Sequence, residues 1–373
     1  MVNDEVVVTP WEVKGDIDYD KLVRDFGTQK IGDEIISKIE QIAGEVHPLI
    51  KRKIFFSHRD LDWLLSEYEK GNKFFLYTGR GPSGDTHLGH LVSWILTKWF
   101  QDKFGAELWF QMTDDEKFYF KDGLTAEFTN RMAYENALDV IALGFDEKKT
   151  FIFSDFDYAK TLYPQAAKVA KKLTFSTARA VFGFNESSNV GQIFFTSMQS
   201  VPAFLPSIKE GKNIPCLIPH AIDQDPHFRV CRDILPKLGY YKPAAIHSMF
   251  LPGLKQGGKM SSSIMDSAIF TTDTGEQIEK KVKNAFTGGK STAEEQRKTG
   301  ANPDICSVYN YYFILFMWDD NELGDLRKRC LCGEILCGDC KKILENKIKK
   351  FLNDHQKKRE EAKKRLDKFI LRD

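Results

Sequence analysis

The sequence predicts an α/β fold, a parallel sheet with helices on both faces, followed by an all-helical region. Three observations predict it. From Lys73 onward, short apolar runs alternate with stretches of helical spacing: "KFFLYTG", "HLGHLVSWILTKWFQ", "ELWFQM", "AEFTNRMAYENALDVIALG" and "TFIFS". Strands separated by helices are the pattern of a parallel sheet buried on both sides. After "GGKMSSS" the strand-like runs stop, and residues 272–362 read as helices. The unusual polar residues mostly follow the apolar runs, where ligands of such sheets belong.

Each element has its own signal. Residues 1–72 read as an N-terminal extension: "VVVTPWEVKG" alternates and closes on glycine like a short hairpin, while "IGDEIISKIEQIAG" and "RDLDWLLSEYEKG" have helical spacing and terminal glycines. Residues 73–271 carry the strand–helix alternation, which resumes with "NIPCLIP", "PHFRVCRDILPKLG" and "AAIHSMF". Residues 272–362 contain "GEQIEKKVKNAF", "STAEEQRKTG", "DICSVYNYYFILFMW" and a long basic helix, whose end is expected at residues 363–373.

With 42% hydrophobic and 29% charged residues, the chain reads as an ordinary globular protein. No window approaches the ~20 apolar residues of a membrane helix. The acidic start lacks the features of a secretory or mitochondrial leader, and seven cysteines, an odd number, suit reduced thiols. A cytoplasmic protein with no membrane partner is expected. Net charge is only +1, but residues 341–373 hold 13 Lys and Arg against 6 Asp and Glu, a local +7. That end suits contact with a polyanion or a solvated helix surface.

The chemistry concentrates in two stretches. In "HLGHLVSWILTKWF", Leu88, Leu91, Val92, Ile95, Leu96 and Trp99 follow helical spacing. Thr86 is expected as the N-cap, placing His87, Gly89 and His90 in the first turn, where free N–H groups and the helix dipole favour phosphate. Gly89 lets a flat ring approach the backbone. A metal-binding or buried histidine pair is the alternative. The second stretch, "LPGLKQGGKMSSS", sets Lys259 and hydroxyls behind a glycine-rich loop, a composition that suits the charge of a phosphoryl or nucleotidyl transfer.

Together "HLGH" and "KMSSS" resemble the HIGH and KMSKS signatures of class I aminoacyl-tRNA synthetases. "YTGRGPS", "QMTDDEKF", "FIFSDFDY" and "CLIPHAIDQDPHFR" are similar to tryptophanyl-tRNA synthetases of the eukaryotic and archaeal branch, and the resemblance spans nearly the whole chain. It implies a Rossmann-type catalytic domain, a helical anticodon-binding domain, a homodimer, ATP with Mg2+, L-tryptophan and tRNA(Trp). It also implies an N-terminal hairpin over the ATP site. By the same resemblance, Gly79, Arg80, His87, Gly89, His90, Lys259, Met260, Ser261, Ser262 and Ser263 hold ATP. Lys259, His87, His90 and Arg80 assist the transfer. The second lysine of the signature is Ser262 here, which makes Arg80 a candidate second cation.

An indole ligand needs an apolar slot with one acceptor for its N–H. Tyr77 and Gln111 end the first two strands and so face one crevice. By resemblance they take the indole nitrogen, while Glu116, Gln199 and Gln224 hold the ammonium and carboxylate. Each also has a structural reading: Tyr77 as a sheet residue, Gln111 as a strand cap, Asp114 and Asp115 as first-turn acids, and Asp225-Pro226 as an N-cap and N1 pair. No metal ligand is assigned. His220, Asp223, Asp225 and His227 are too irregularly spaced for one. Four cysteines in "CLCGEILCGDC" suit zinc, a redox pair or plain thiols, though Cys330 and Cys332 are spaced unlike a zinc knuckle. Tyrosyl-tRNA synthetase, a nucleotidylyltransferase of related fold and a non-catalytic RNA-binding protein are the rivals.

Overall fold

The computed structural model describes the backbone of residues 7–8, 13–14 and 265 and, with side chains, residues 18–256, 260 and 266–373. Strands β1 (Val7–Val8) and β2 (Val13–Lys14) pair antiparallel, with Val8 opposite Val13. Seven further strands form one sheet: β3 (Gln29–Lys30), β4 (Phe55–Arg59), β5 (Phe75–Arg80), β6 (Glu107–Met112), β7 (Thr150–Ser154), β8 (Cys216–Ala221) and β9 (Ala244–Ser248). Their order is β3-β4-β9-β8-β5-β6-β7.

The five strands β9-β8-β5-β6-β7 are parallel, as the alternation predicts, but β4 runs antiparallel to β9, and β3 to β4. The sheet therefore reaches back past the expected boundary at residue 73. "IFFSHR" is too short and too closely followed by a helical pattern to declare itself as a strand in the sequence. Sheet order reverses between β5 and β8, the switch point where open α/β sheets leave a crevice.

Two cores confirm that both faces are covered. Alternate residues of each strand go to opposite sides. Leu76, Leu108, Phe110, Ile152 and Leu217 join one buried cluster, while Phe75, Tyr77, Trp109, Phe153 and Ile218 join the other. The first cluster continues without a break into the helical region through Val308, Tyr311, Leu344, Ile348 and Leu352.

Helix Cys337–Lys363 lies against helix Ala126–Ala142 beside the sheet. Their contact contains a buried ion pair: His355 Nε2 lies 2.9 Å from Asp139 Oδ1, and Arg359 engages the other carboxylate oxygen. The basic helix stops at Lys363, short of the expected end at 373. Beyond a short turn, the chain pairs with the outer edge of β7, where Ile152 donates to the Phe369 carbonyl and Leu371 donates to that of Ile152, both at 2.8 Å. Among the described residues, no helix is long and apolar enough to cross a membrane.

Candidate active site

The crevice opens because β5 and β8 part company. They pair only at Phe75–Cys216 and Leu76–Leu217. Pro219, without an N–H, cannot continue the ladder, and the Thr78 hydroxyl donates instead to its carbonyl at 3.1 Å. Past this point Tyr77, Gly79 and Arg80 line up at the carboxyl end of β5, beside Gln111 on β6. Gly79 sits opposite Gln111 in the register, and a Cβ there would stand 2.7 Å from the Gln111 carbonyl oxygen.

Three of the predicted indole and ammonium residues meet at the crevice floor. The Tyr77 hydroxyl donates to Gln111 Oε1 (2.6 Å) or to the Gln199 carbonyl (3.0 Å), and accepts from Gln199 Nε2 at 2.7 Å. Gln111 is fixed from behind, its Nε2 donating to both Asp155 carboxylate oxygens at 2.9 Å. Asp155 bonds in turn to Asp115. Burial raises both carboxyls: Asp115 goes to about 7, helped by the charges of Asp114 and Glu116, and Asp155 goes well above the usual range, helped by those of Asp115 and Asp114, so the two share a proton.

Asp114 is more than a first-turn acid. Its Oδ1 accepts from the Asp155 N–H at 2.9 Å and its Oδ2 from Ser154 Oγ at 2.6 Å, tying the helix Asp114–Phe120 to the end of β7. Glu116 is buried nearby and accepts from Thr113 Oγ1 and Lys117 Nζ, both at 2.7 Å. Burial opposes ionisation of Glu116, but Lys117 and Thr113 outweigh it and hold the carboxyl below its ordinary range. His227 senses both Glu116 and Lys117 and is kept neutral by burial, its pKa lowered to about 4. Gln224 is half-buried and stands immediately before helix Asp225–Ile234.

His87, not Thr86, caps helix Leu88–Phe104. Thr86 is instead tied by its carbonyl to the Thr271 N–H at 2.9 Å, which shifts the helix start by one residue. The His87 N–H donates to His90 Nδ1 at 3.1 Å, and the two rings stack 3.6 Å apart. Leu88 N–H donates to the Ile269 carbonyl at 2.9 Å, so the segment after the serine run is laced to this turn. Met260 precedes that run, and its Cβ comes within 3.7 Å of where a Cβ on Gly89 would sit. Lys259, Ser261, Ser262 and Ser263 lie outside the described residues.

Arg80 Nη1 donates to the Gly81 carbonyl at 2.6 Å, and burial lowers its pKa to about 10, which leaves it cationic at neutral pH. Lys117 and Lys121 lie close enough to feel its neighbourhood, making a cationic rim. Neither lysine stands out in the sequence, since each reads as an ordinary surface residue. Asp155 also went without a role, although an acid at the end of the strand beside Gln111 is the available signal.

The histidines and acids of "HAIDQDPHF" separate. Asp223 and His227 leave the group, and His220 and Asp225 converge with His247, their ligand atoms within 4.8 Å of one another. Asp225 is not an N-cap. It is the first residue of its helix, and Arg59 grips both its carboxylate oxygens at 2.8 Å. A cation beside that guanidinium is disfavoured by charge. Ser57 Oγ lies 2.9 Å from His247 Nδ1, and His247 Nε2 lies 3.2 Å from Asp225 Oδ1, but all three residues are fully buried, so the row braces β4 against β9 and does not face a substrate.

The stacked histidines at one helix tip and the Tyr77–Gln111–Gln199 group at the end of β5 belong to a known class. The chain belongs to the class I tRNA synthetases of the W and Y group, whose family model matches residues 69–353. It is 51% identical to the tryptophan–tRNA ligase of Pyrobaculum calidifontis over 99% of both chains. It is also 51% identical to that of Thermococcus sibiricus, over 98% of this chain and 94% of the relative. The crystal structure of Plasmodium falciparum tryptophanyl-tRNA synthetase superposes with a TM-score of 0.89, at 42% identity over 95% of this chain and 97% of the other.

Proposed function

We propose that this chain is a tryptophan–tRNA ligase, which uses ATP to activate L-tryptophan and then charges tRNA(Trp). The observation that carries the reading is the Tyr77–Gln111–Gln199 trio at the carboxyl end of β5, the strand whose following loop leads into the stacked His87–His90 turn. The indole N–H donates to Gln111 Oε1, which Tyr77 releases by turning its hydroxyl proton to the Gln199 carbonyl. Glu116 attracts the ammonium, and Gln199 and Gln224 steady the carboxylate.

The tryptophan carboxylate attacks the α-phosphorus of ATP in line, forming the mixed anhydride and expelling pyrophosphate. A terminal ribose hydroxyl of the tRNA then attacks the anhydride, releasing AMP. No protein nucleophile is needed, so positioning and charge supply the rate. His87, Gly89 and His90 seat the nucleotide with Gly79 and Met260. Lys259 and Arg80 meet the phosphate charge as it develops, with Ser261, Ser262 and Ser263 offering hydroxyls. Mg2+ is carried by the triphosphate. The residues 272–362 are assigned to the anticodon arm, and the working form is a cytoplasmic homodimer.

Tryptophan-dependent ATP–pyrophosphate exchange, run beside tyrosine, tests the reading. Exchange with tryptophan alone is expected, and exchange with tyrosine alone would replace it with the sister specificity. Lys259→Ala should lower turnover far more than it weakens tryptophan binding, and an equal loss of both would remove the lysine from the transfer step.

A further inference from the structure

We propose that Arg372 and Asp373 are positioning residues for the tryptophan site: they hold the turn that presents Asp155, and so help set the preference for a side chain with a ring N–H. This rests on the reading that Gln111 accepts the indole N–H. Asp155 directly follows β7, the outermost strand of the sheet. Its carboxylate fixes the Gln111 amide from 2.9 Å, so a shift of the turn re-aims the acceptor. A recognition constellation of this kind works only when held to within about 0.5 Å.

On its inner side the turn is anchored to Asp114 Oδ1 and the Met112 carbonyl, which both accept from the Asp155 N–H, at 2.9 and 3.1 Å. On its outer side stand residues 369–373. Closing the sheet edge takes only the Phe369 carbonyl and the Leu371 N–H, which pair with Ile152. The two residues beyond reach further. The Asp373 N–H donates to the Asp157 carbonyl at 3.1 Å, and its carboxylate accepts from the Thr161 N–H and hydroxyl at 2.8 and 2.5 Å. Asp373 thereby caps helix Ala159–Ala170, whose own cap residue, Tyr158, makes no side-chain cap bond.

Arg372 Nε donates to the Tyr134 hydroxyl at 3.3 Å, with the guanidinium 5.2 Å from the ring centre. That hydroxyl donates to Asp157 Oδ2. Asn130 joins the outer anchor to the inner one, its Nδ2 lying 3.1 Å from the same Asp157 oxygen and 3.0 Å from Asp114 Oδ2. Asp157 is thus gripped at its carboxylate by Tyr134 and Asn130 and at its carbonyl by Asp373. Arg372 and Asp373 are exposed, so their bonds add little to overall stability, and what they govern is orientation.

A chain ending at Leu371 keeps the pairing with β7 and removes both residues, and Tyr134→Phe cuts the same route one step further in. Pyrophosphate exchange with tryptophan and with benzothienylalanine, whose ring sulfur replaces the N–H, is measured beside thermal denaturation and amide hydrogen exchange over residues 150–158. In both variants the KM for tryptophan should rise about 3–10-fold with kcat nearly unchanged, while the KM for benzothienylalanine and the melting temperature stay close to those of the parent chain. Amide exchange across residues 150–158 should quicken. Asp373→Asn, which keeps an acceptor for the Thr161 N–H, should lie nearer the parent than Asp373→Ala. The proposal is overturned if the KM values for both amino acids rise together, if neither moves, or if residues 150–158 exchange as in the parent. A parent chain without a preference for tryptophan would remove the role of Gln111 and the proposal with it, whereas a parent preference that the variants retain removes the proposal alone.

Discussion

The Tyr77 hydroxyl has one hydrogen and two acceptors, and Gln111 has one amide whose orientation Asp155 decides. Asp155→Ala removes the acceptor that turns the Gln111 nitrogen away from the crevice. The kcat/KM for tryptophan should fall about 10–100-fold, in line with ~1–3 kcal/mol for an unsatisfied buried polar group. The sharper readout is the preference for tryptophan over benzothienylalanine, which lacks the ring N–H, because that preference should collapse in the variant. Exchange kinetics with both amino acids measure it. Asp115 adds a pH dependence. Burial first, and then neighbouring charge, raises it to about 7, so the neutral form dominates below that pH. A raised carboxyl loses its contribution as pH climbs through the folded value. The KM for tryptophan should therefore increase above pH 7, and Asp115→Asn should flatten that limb.

Helix Leu88–Phe104 was legible from its apolar spacing, and its capping by His87 was not, because histidine is a rare cap and Thr86 a favoured type. The reason the cap shifts is tertiary: the 269–271 segment takes the Thr86 carbonyl. Gly89→Ala tests how tightly this turn is set. Alanine favours a helix over glycine by about 1 kcal/mol, yet its Cβ would press within 3.0 Å of the His87 ring. The melting temperature should barely move while the KM for ATP rises several-fold, as thermal denaturation and steady-state kinetics would reveal. Strands β5, β6, β7 and β9 were likewise visible as apolar runs between turn signals. The edge strand β3 and its neighbour β4 were hidden, since a two-residue strand leaves no period to read and β4 leads straight into a helix.

The helical region and the sheet share one core, and Asp139 is the charged joint between them. Burial alone would raise this carboxyl, but His355 and Arg359 outweigh it and hold it below its ordinary value. Arg59 and His247 do the same for Asp225, against burial that pulls the other way. Asp139→Ala leaves two bases facing an apolar gap, and denaturant unfolding should show a loss of about 3 kcal/mol. Both carboxylates stabilise the fold above about pH 4 and lose that contribution as pH falls through their depressed folded values. Acid unfolding should therefore steepen below pH 4, and Asp139→Asn should be less sensitive to acid than the parent chain. None of this joint was readable in sequence, where 216 residues separate Asp139 from His355. Long-range ion pairs carry no local signature, whereas the HLGH stretch does, because backbone geometry at a helix tip demands particular residues in a row.

The pairing of residues 369–371 with β7 has a consequence for synthesis. Ile152 emerges from the ribosome long before its partner Ile370 exists, so the nascent sheet carries one bare margin for most of translation. An unpaired rim of that kind invites stray strands from other chains. A version ending at residue 368 should make that vulnerability permanent, precipitating on mild warming at temperatures where the parent chain stays dispersed.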